Sequence, residues 1–261
     1  MLAFILQSIV PFVFSALIVI IITVIAEKYG TKVGGIFGTL PSTIIIAFIF
    51  IALNKGVGFA SKSVAIAPSE MGINLLFLLI FVTLAYRSTT IALICSMTVW
   101  AILSSVLYLL NISDILLSFV IYITSLLFIF WYLEFVKKVP STGMVTVHYT
   151  PMKIIMRGML AGGIIAISVL LSNTSAVLSG IFSVFPAIIS STMIISVREH
   201  GPDFAAGMAK SMIFGSASVM SYAISIHFLY PAYGIINGTI VAFCISFCIT
   251  MILFKFRSKI R

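Results

Sequence analysis

The chain has 261 residues, of which 62% are hydrophobic and 8% are charged, and its mean hydropathy is +1.29. Soluble proteins carry about 25% charged residues, so this composition excludes an ordinary water-soluble domain and predicts a polytopic helical membrane protein. The net charge is +9. In a soluble protein it would suggest nucleic acid, but here the basic residues lie between apolar segments, where they set membrane orientation. Nucleic acid is therefore not an expected partner.

Nine apolar segments approach the length that a helix needs to cross a bilayer. The first has no basic region before it and is longer than a signal-peptide core, so we expect it to remain as a span. The predicted spans are residues 4–26, 36–53, 70–86, 91–110, 115–136, 154–171, 181–197, 211–230 and 235–254.

The basic residues divide unevenly between the two sides of this arrangement. Only Lys55 and Lys62 fall on the side of the N-terminus, and the other 13 of the 15 basic residues fall on the opposite side. Because basic loops favour the cytoplasm, the N-terminus is predicted outside and the C-terminus in the cytoplasm of a multi-pass plasma-membrane protein. Arg157, just inside the sixth span, is expected to extend towards the cytoplasmic face.

Two distant stretches share a pattern that includes a proline within an apolar run. Residues 35–60 and 180–205 align without gaps at an offset of 145, with 8 identities in 26 positions. Shared spacing of this kind indicates an internal repeat. The identical positions are Gly35, Ile36, Phe37, Pro41, Ile49, Gly56, Phe59 and Ala60, which meet Gly180, Ile181, Phe182, Pro186, Ile194, Gly201, Phe204 and Ala205.

The same offset relates the first, third and fourth spans to the sixth, eighth and ninth, and leaves the fifth as a connector. Five crossings separate equivalent spans, so the second copy is inverted in the membrane. The predicted fold is all-α, with nine transmembrane helices as two inverted four-helix repeats joined by a connector helix (4+1+4). The repeats are residues 1–110 and 139–261, and the connector is residues 111–138.

Each half resembles the GlpM type of small four-span bacterial inner-membrane protein. The resemblance rests on "GIFGTLP" with "NKGVGFA" in the first half, and on "GIFSVFP" with "REHGPDFAAGMAKSMIFG" in the second. It covers about 75 to 90 residues of each half, whereas the fused duplication and its connecting span depart from that family. The resemblance implies a membrane protein without an assigned chemistry.

The paired prolines suggest a binding site between the second and seventh spans. A proline frees the carbonyl group four residues earlier, here those of Phe37 and Phe182, and a free carbonyl in a membrane must face protein, hydroxyl groups or water. Two kinked or discontinuous helices would place loosened backbone beside hydroxyl groups. The alternative is a packing kink with serines bonded to their own helix. The candidate substrate-binding residues are Thr39, Pro41, Ser42, Thr43, Phe185, Pro186, Ser190 and Ser191.

Two ionisable residues are candidates for an ion or proton site. Glu70 begins the third predicted span, and His227 lies near the outer end of the eighth. The alternative for both is an interfacial group that reaches water. The sequence offers no obvious set of metal ligands within the membrane, so no metal or other cofactor is expected.

The leading functional hypothesis is a secondary transporter or exporter of a small metabolite or amphiphile by alternating access. The alternative is a non-catalytic accessory or scaffold protein of envelope or lipid metabolism. Catalysis is not expected, because Asp114 and Asp203 fall in loops and His227 has no serine motif near it. The expected partners are membrane lipids and an unidentified small molecule, with a homodimer left open.

The glycines at small-xxx-small spacing are expected to support close helix packing rather than chemistry. They are Gly30, Gly34 and Gly38, Gly158 with Gly162, and Gly234 with Gly238.

Overall fold

The structure is a computed structural model that describes residues 5–28, 41–139 and 150–259. In these ranges all regular structure is helical. The α-helices are α1 Val10–Lys28, α2 Ser42–Lys55, α3 Val57–Val64, α4 Ala67–Leu84, α5 Thr89–Leu109, α6 Ile115–Trp131, α7 Pro151–Leu171, α8 Ala176–Ser183, α9 Ala187–His200 and α10 Pro202–Lys259. A π-helical turn, Ile5–Ile9, precedes α1, and another, Tyr132–Val136, follows α6.

Seven helical stretches of the described residues are long and apolar enough to cross a membrane. The prediction of a helical membrane protein is thereby confirmed. One stretch, Pro202–Leu253, has 52 residues and changes direction at Gly234, in the predicted gap between the last two spans. The apolar helix Ser42–Lys55 is shorter than the others. The count of nine spans stays a prediction.

Side-chain caps mark the helix starts that follow two of the turns. The Asp114 carboxylate accepts a hydrogen bond from the Leu117 N–H at 2.7 Å where α6 begins, and the Ser175 hydroxyl accepts one from Leu178 at 3.4 Å where α8 begins. Such caps satisfy N–H groups that have no acceptor within the helix. They explain why polar residues interrupt the apolar sequence at these turns.

Helices α2 and α9 have the same length and the same backbone at both ends. Each has 14 residues; α2 follows Pro41 (φ −78°, ψ 49°) and α9 follows Pro186 (φ −75°, ψ 36°). They end before Gly56 (φ 86°, ψ 162°) and Gly201 (φ 87°, ψ 172°). Only glycine adopts this last conformation readily. Pro41 and Pro186 are 145 residues apart in sequence, and so are Gly56 and Gly201.

The seventh predicted span is a discontinuous helix. Val184, Phe185 and Pro186 separate α8 from α9, so the discontinuous form, rather than the kinked one, is present here. The expectation that Pro186 frees the carbonyl of Phe182 is wrong, because that carbonyl accepts the Phe185 N–H at 3.3 Å. The break instead leaves the Val184 carbonyl without a backbone donor among the described residues. The equivalent residues before Pro41, including Phe37 and Thr39, lie outside the described residues.

Glycines allow α7 to pack directly on the backbone of α1. A Cβ atom at Gly158 would lie 2.9 Å from the Ala16 carbonyl oxygen, and one at Gly162 would lie 2.6 Å from that of Phe12. Close packing at this pair is therefore confirmed. At Gly238 a Cβ atom would lie 2.8 Å from the Tyr230 ring. Gly30, Gly34 and Gly38 lie outside the described residues.

We expect Gly162→Ala to destabilise the protein and Gly163→Ala to leave its stability unchanged or slightly higher. The first substitution forces a methyl group against backbone, which typically costs about 1–3 kcal/mol. The second adds a methyl group that meets nothing within 4 Å, and alanine is the better helix former. Thermal unfolding of the detergent-solubilised protein measures both. Equal melting temperatures for the two variants would contradict the close α1–α7 contact.

The segment after α2 is a short helix, α3, that lies inside the protein. In α3, Ala60, Ser61, Ser63 and Val64 are buried. A Cβ atom at Gly180 of α8 would lie 2.1 Å from the Ser63 carbonyl oxygen, so α8 packs against α3 at a distance that leaves no room for a side chain at this position. This contact joins the first part of the chain to the second.

Helix α6 contacts helices on both sides of it in sequence. The Ser125 hydroxyl would lie 3.1 Å from a Cβ atom at Gly72 of α4, and the buried Tyr122 hydroxyl hydrogen-bonds that of Ser216 in α10 at 2.8 Å. The helix predicted as a connector thus holds α4 and α10 together through specific contacts.

Candidate functional site

A cavity of about 170 Å³ lies where α2 begins and where the chain breaks between α8 and α9. Helices α1, α4, α7 and α10 complete its wall. Most of the lining is aliphatic. The polar residues that line it include Thr23, Ser42, Thr43, Asn74, Arg157 and Ser183.

The structure brings together about half of the predicted substrate-binding residues. Pro41, Ser42, Thr43 and Phe185 line the cavity. Pro186 lies in the break, where its backbone starts α9, but its side chain is not part of the lining. Thr39 lies outside the described residues.

Ser190 and Ser191 fit the alternative that the sequence left open, in which serines near the proline bond to their own helix. The Ser190 hydroxyl donates to the Pro186 carbonyl at 2.5 Å, and the Ser191 hydroxyl donates to that of Ile188 at 3.0 Å. Neither lines the cavity. Their prediction as substrate-binding residues is therefore wrong, because short hydroxyl side chains in a helix bond readily to the preceding turn.

Asn74, which the sequence analysis missed, stabilises the break. Its side-chain Nδ2 donates to the Val184 carbonyl at 2.7 Å, and the residue is 1% exposed. A carbonyl without a partner in hydrocarbon is costly, so this bond makes the interruption of the helix tolerable. The Asn74 Oδ1 faces no hydrogen-bond partner among the described residues. The amide therefore has an acceptor left for another molecule.

We expect Asn74→Leu to lower the free energy of unfolding by about 1–2 kcal/mol, because it leaves the Val184 carbonyl without a partner. Thr83→Val is the control on the same helix, since the Thr83 hydroxyl bonds only within α4, to the Leu79 carbonyl at 2.7 Å. Unfolding of both variants in mixed detergent–denaturant solution gives the comparison. If the threonine variant loses as much stability as the asparagine variant, Asn74 does not support the break.

Arg157 is a buried cation in the cavity wall, and its expected extension to the cytoplasmic face is wrong. It is 9% exposed, and its Nη1 donates to the Thr192 hydroxyl at 2.9 Å. Helix α7 begins at Pro151, so Arg157 lies almost two turns inside it, on the side that faces α9. Packing between helices, rather than sequence position, determines its direction.

Glu70 is also buried, so the alternative of an interfacial group in water is wrong. It is 0% exposed, and its Oε1 accepts the Ser104 hydroxyl at 2.6 Å. Its Oε2 has no hydrogen-bond partner among the described residues. One turn from Ser104, the Trp100 ring lies edge-on to Phe185, with centroids 4.7 Å apart. Helix α5 thus connects the buried carboxyl group to the helix break.

His227 is half-buried and does not meet Glu70. Its Nδ1 lies 2.8 Å from the Ser61 carbonyl oxygen, and the Ser61 hydroxyl donates to the His227 carbonyl at 2.7 Å. These bonds fasten α10 to α3. The geometry explains His227 as a packing residue without invoking a proton site.

Polar contacts between loops and helix ends fall into two groups, one around Asn54 and Asn173 and one that includes Tyr86 and the two lysine–glutamate pairs. Asn54 donates to the Ser172 hydroxyl at 2.9 Å, and Asn173 donates to Gln7 at 2.9 Å. Away from these, Tyr86 donates to Asp203 at 2.6 Å, and this bond raises the pKa of Tyr86 to about 12. Lys153 pairs with Glu199, and Lys210 pairs with Glu134.

Residues 8–113 match the model of a family described as a protein of unknown function, DUF3147. The match covers less than half of the chain, and includes α1 to α5 with Pro41, Glu70 and Asn74. No curated protein and no solved structure matches the chain. The similarity is therefore limited to the first part of the sequence and carries no activity with it.

Proposed function

We propose that the chain is a secondary transporter of a small metabolite or amphiphile in the plasma membrane. It works by alternating access, with two inverted four-helix repeats joined by a connector helix and a central site at the paired helix starts. The observation that carries the proposal is the cavity of about 170 Å³, which lies where both helices begin. In many secondary transporters the substrate site lies at the ends of discontinuous helices.

The lengths of α2 and α9 support a site within the membrane. A helix of 14 residues is about 21 Å long, which is shorter than the hydrocarbon core of about 30 Å. Each helix that reaches one surface therefore begins inside the membrane. The repeated backbone at Pro41 and Pro186, and at Gly56 and Gly201, supports a duplication.

The polar contacts at the two ends of the molecule support the proposed division of the loops between two sides. Asn54 and Ser172 are both predicted on the outer side, and they hydrogen-bond. Tyr86 and Asp203 are both predicted on the cytoplasmic side, and they also hydrogen-bond. The same holds for the cytoplasmic pair of Lys153 and Glu199.

The experiment that tests the proposal is thiol labelling from each side of the membrane. Cys95, Cys244 and Cys248 are first replaced by alanine, and Thr43→Cys or Ile188→Cys is then introduced into the cavity wall. We expect a membrane-impermeant maleimide to label both cavity cysteines in right-side-out and in inside-out vesicles. Alternating access requires that the cavity open to both sides.

The controls are Asn111→Cys and Arg87→Cys, which lie in loops predicted on the outer and the cytoplasmic side. Each should react from its own side only, so they also test the topology. Cavity cysteines that react from one side only, or from neither, would refute alternating access. Complete protection would favour the accessory or scaffold protein.

A further inference from the structure

We propose that the cavity binds an uncharged group that both accepts and donates hydrogen bonds, a hydroxyl or a carboxamide, on a small apolar body. This inference rests on the proposed function insofar as it names the class of molecule that is transported. As a binding site it is independent of transport, because the groups of the lining carry it.

The start of α2 supplies hydrogen-bond donors to the cavity. Ser42, Thr43 and Ile44, its first three residues, line the cavity. The first backbone bond of the helix runs from the Ile45 N–H to the Pro41 carbonyl at 3.1 Å, so the N–H groups of the three residues before Ile45 have no acceptor within the helix. The hydroxyl groups of Ser42 and Thr43 can donate as well as accept. A molecule bound here therefore needs an acceptor oxygen.

The start of α9 faces the same cavity but offers fewer donors. The Ala187 N–H donates to the Phe185 carbonyl at 2.8 Å, and the Ser190 N–H donates to the Pro186 carbonyl at 2.8 Å. The side chains at the start of α9 that line the cavity are those of alanine and isoleucine. The acceptor oxygen of the ligand is therefore expected beside α2, and the apolar body beside α9.

Asn74 supplies an acceptor in the same wall. It lines the cavity and is 1% exposed, and its Nδ2 is already used in the bond to the Val184 carbonyl. Its Oδ1 has no partner among the residues that the structure describes, and such a buried atom is costly unless another molecule bonds it. Thr23 and Ser183 also line the cavity, and their hydroxyl groups donate within their own helices, which leaves each oxygen able to accept. The ligand therefore needs an O–H or N–H group as well.

The charges of the lining favour an uncharged ligand. Among the described residues that line the cavity, Arg157 alone carries a formal charge. It is already engaged, because its Nη1 donates to the Thr192 hydroxyl at 2.9 Å and the residue has a further interaction. A cation would find no carboxylate in this wall, and an anion would compete with the present partners of Arg157. An unpaired charge is costly in an aliphatic cavity, whereas a hydroxyl or an amide needs only the donors and acceptors described above.

Thermal shift of the purified protein in detergent at neutral pH tests the inference with five compounds of the same size that share a propyl group. Butyramide and 2-pentanol donate and accept, 2-pentanone accepts only, butyrate is the anion and butyramidinium is the cation. We expect butyramide or 2-pentanol to raise the melting temperature with a dissociation constant at least about fivefold lower than those of the other three. The two compounds distinguish an amide from a hydroxyl. Equal or better stabilisation by the ketone or either ion, or no stabilisation by any compound, would overturn the proposal.

The double variant Ser42→Ala with Thr43→Val provides the second arm, because it removes two hydroxyl groups from the start of α2 and nearly keeps the shape of the wall. The matched control is Ser105→Ala with Thr98→Val, whose hydroxyl groups bond within α5 and do not line the cavity. We expect the α2 variant to weaken binding of the preferred compound at least about fivefold and the control to change it less than about twofold. Equal affinities in the two variants would contradict the site. If the α2 variant does not fold, the comparison of the five compounds on the unmodified protein still decides.

This experiment and the labelling experiment can fail separately. An uncharged compound that binds to a cavity labelled from one side only would leave the site intact and refute transport. A cavity labelled from both sides that prefers butyrate or butyramidinium would do the reverse.

Discussion

Glu70→Gln is expected to abolish the effect of pH on access to the cavity. Glu70 is buried, has one oxygen without a hydrogen-bond partner in the described structure, and is linked through α5 to Phe185 at the helix break. We propose that gain and loss of a proton at this carboxyl group shift the break between two arrangements. Glutamine keeps the size and the Ser104 bond but fixes the charge at zero.

The measurement is the labelling rate of Thr43→Cys in vesicles, normalised to the rate of a loop cysteine, over about pH 5 to 9, where perturbed carboxyl groups titrate. We expect at least about a tenfold change with Glu70 present and less than about twofold with glutamine. The control is Glu199→Gln, which removes a more exposed, ion-paired carboxylate. Persistence of the full pH dependence in Glu70→Gln would exclude this residue as the proton site.

The second large effect is expected from Pro186→Ala, which should close one side of the cavity. Alanine restores the missing N–H group and removes the ring that obstructs a continuous helix, a difference of about 3 kcal/mol in favour of the helix. If α8 joins α9, the Val184 carbonyl bonds within the helix instead of to Asn74. The first turn of α9 then becomes an interior turn of one continuous helix.

We expect this substitution to reduce the labelling rate of Ile188→Cys at least about tenfold while the protein remains folded. Pro231→Ala is the matched control, because Pro231 lies within α10 near Gly234 and does not line the cavity. Pro41→Ala, labelled at Thr43→Cys, tests the equivalent position in α2. Unchanged labelling in both cavity variants would mean that the prolines do not maintain the site.

The position of the cavity could be predicted from sequence because a proline changes local backbone directly. Pro186 cannot donate to the preceding turn and its ring disfavours a continuous helix, and the recurrence of the same pattern at Pro41 identified two segments of similar conformation. Hydroxyl groups were harder to interpret, because Ser42 and Ser190 both lie in the first turn after a proline, directly after Pro41 and four residues after Pro186. Only the packing determines that one lines the cavity and the other bonds to its own helix.

The residues that carry charge into the interior could not be predicted in this way. Arg157 and Glu70 both lie near the end of an apolar segment, where a charged side chain usually reaches water. Their direction depends on which helices pack beside them, and those neighbours are more than 30 residues away in sequence. Asn74 did give a signal, an amide within an apolar run, but its partner Val184 lies 110 residues further on.

The two halves of the chain give the cavity similar backbone at the starts of α2 and α9 but different side chains. At an offset of 145 residues, Arg157 corresponds to Phe12, and Asn74 corresponds to Val219. With the proposed inverted repeat, the two helix starts alone would accept a molecule in either of two poses related by a half-turn. The Arg157 and Asn74 side chains remove that degeneracy, so we expect a bound molecule to adopt a single pose.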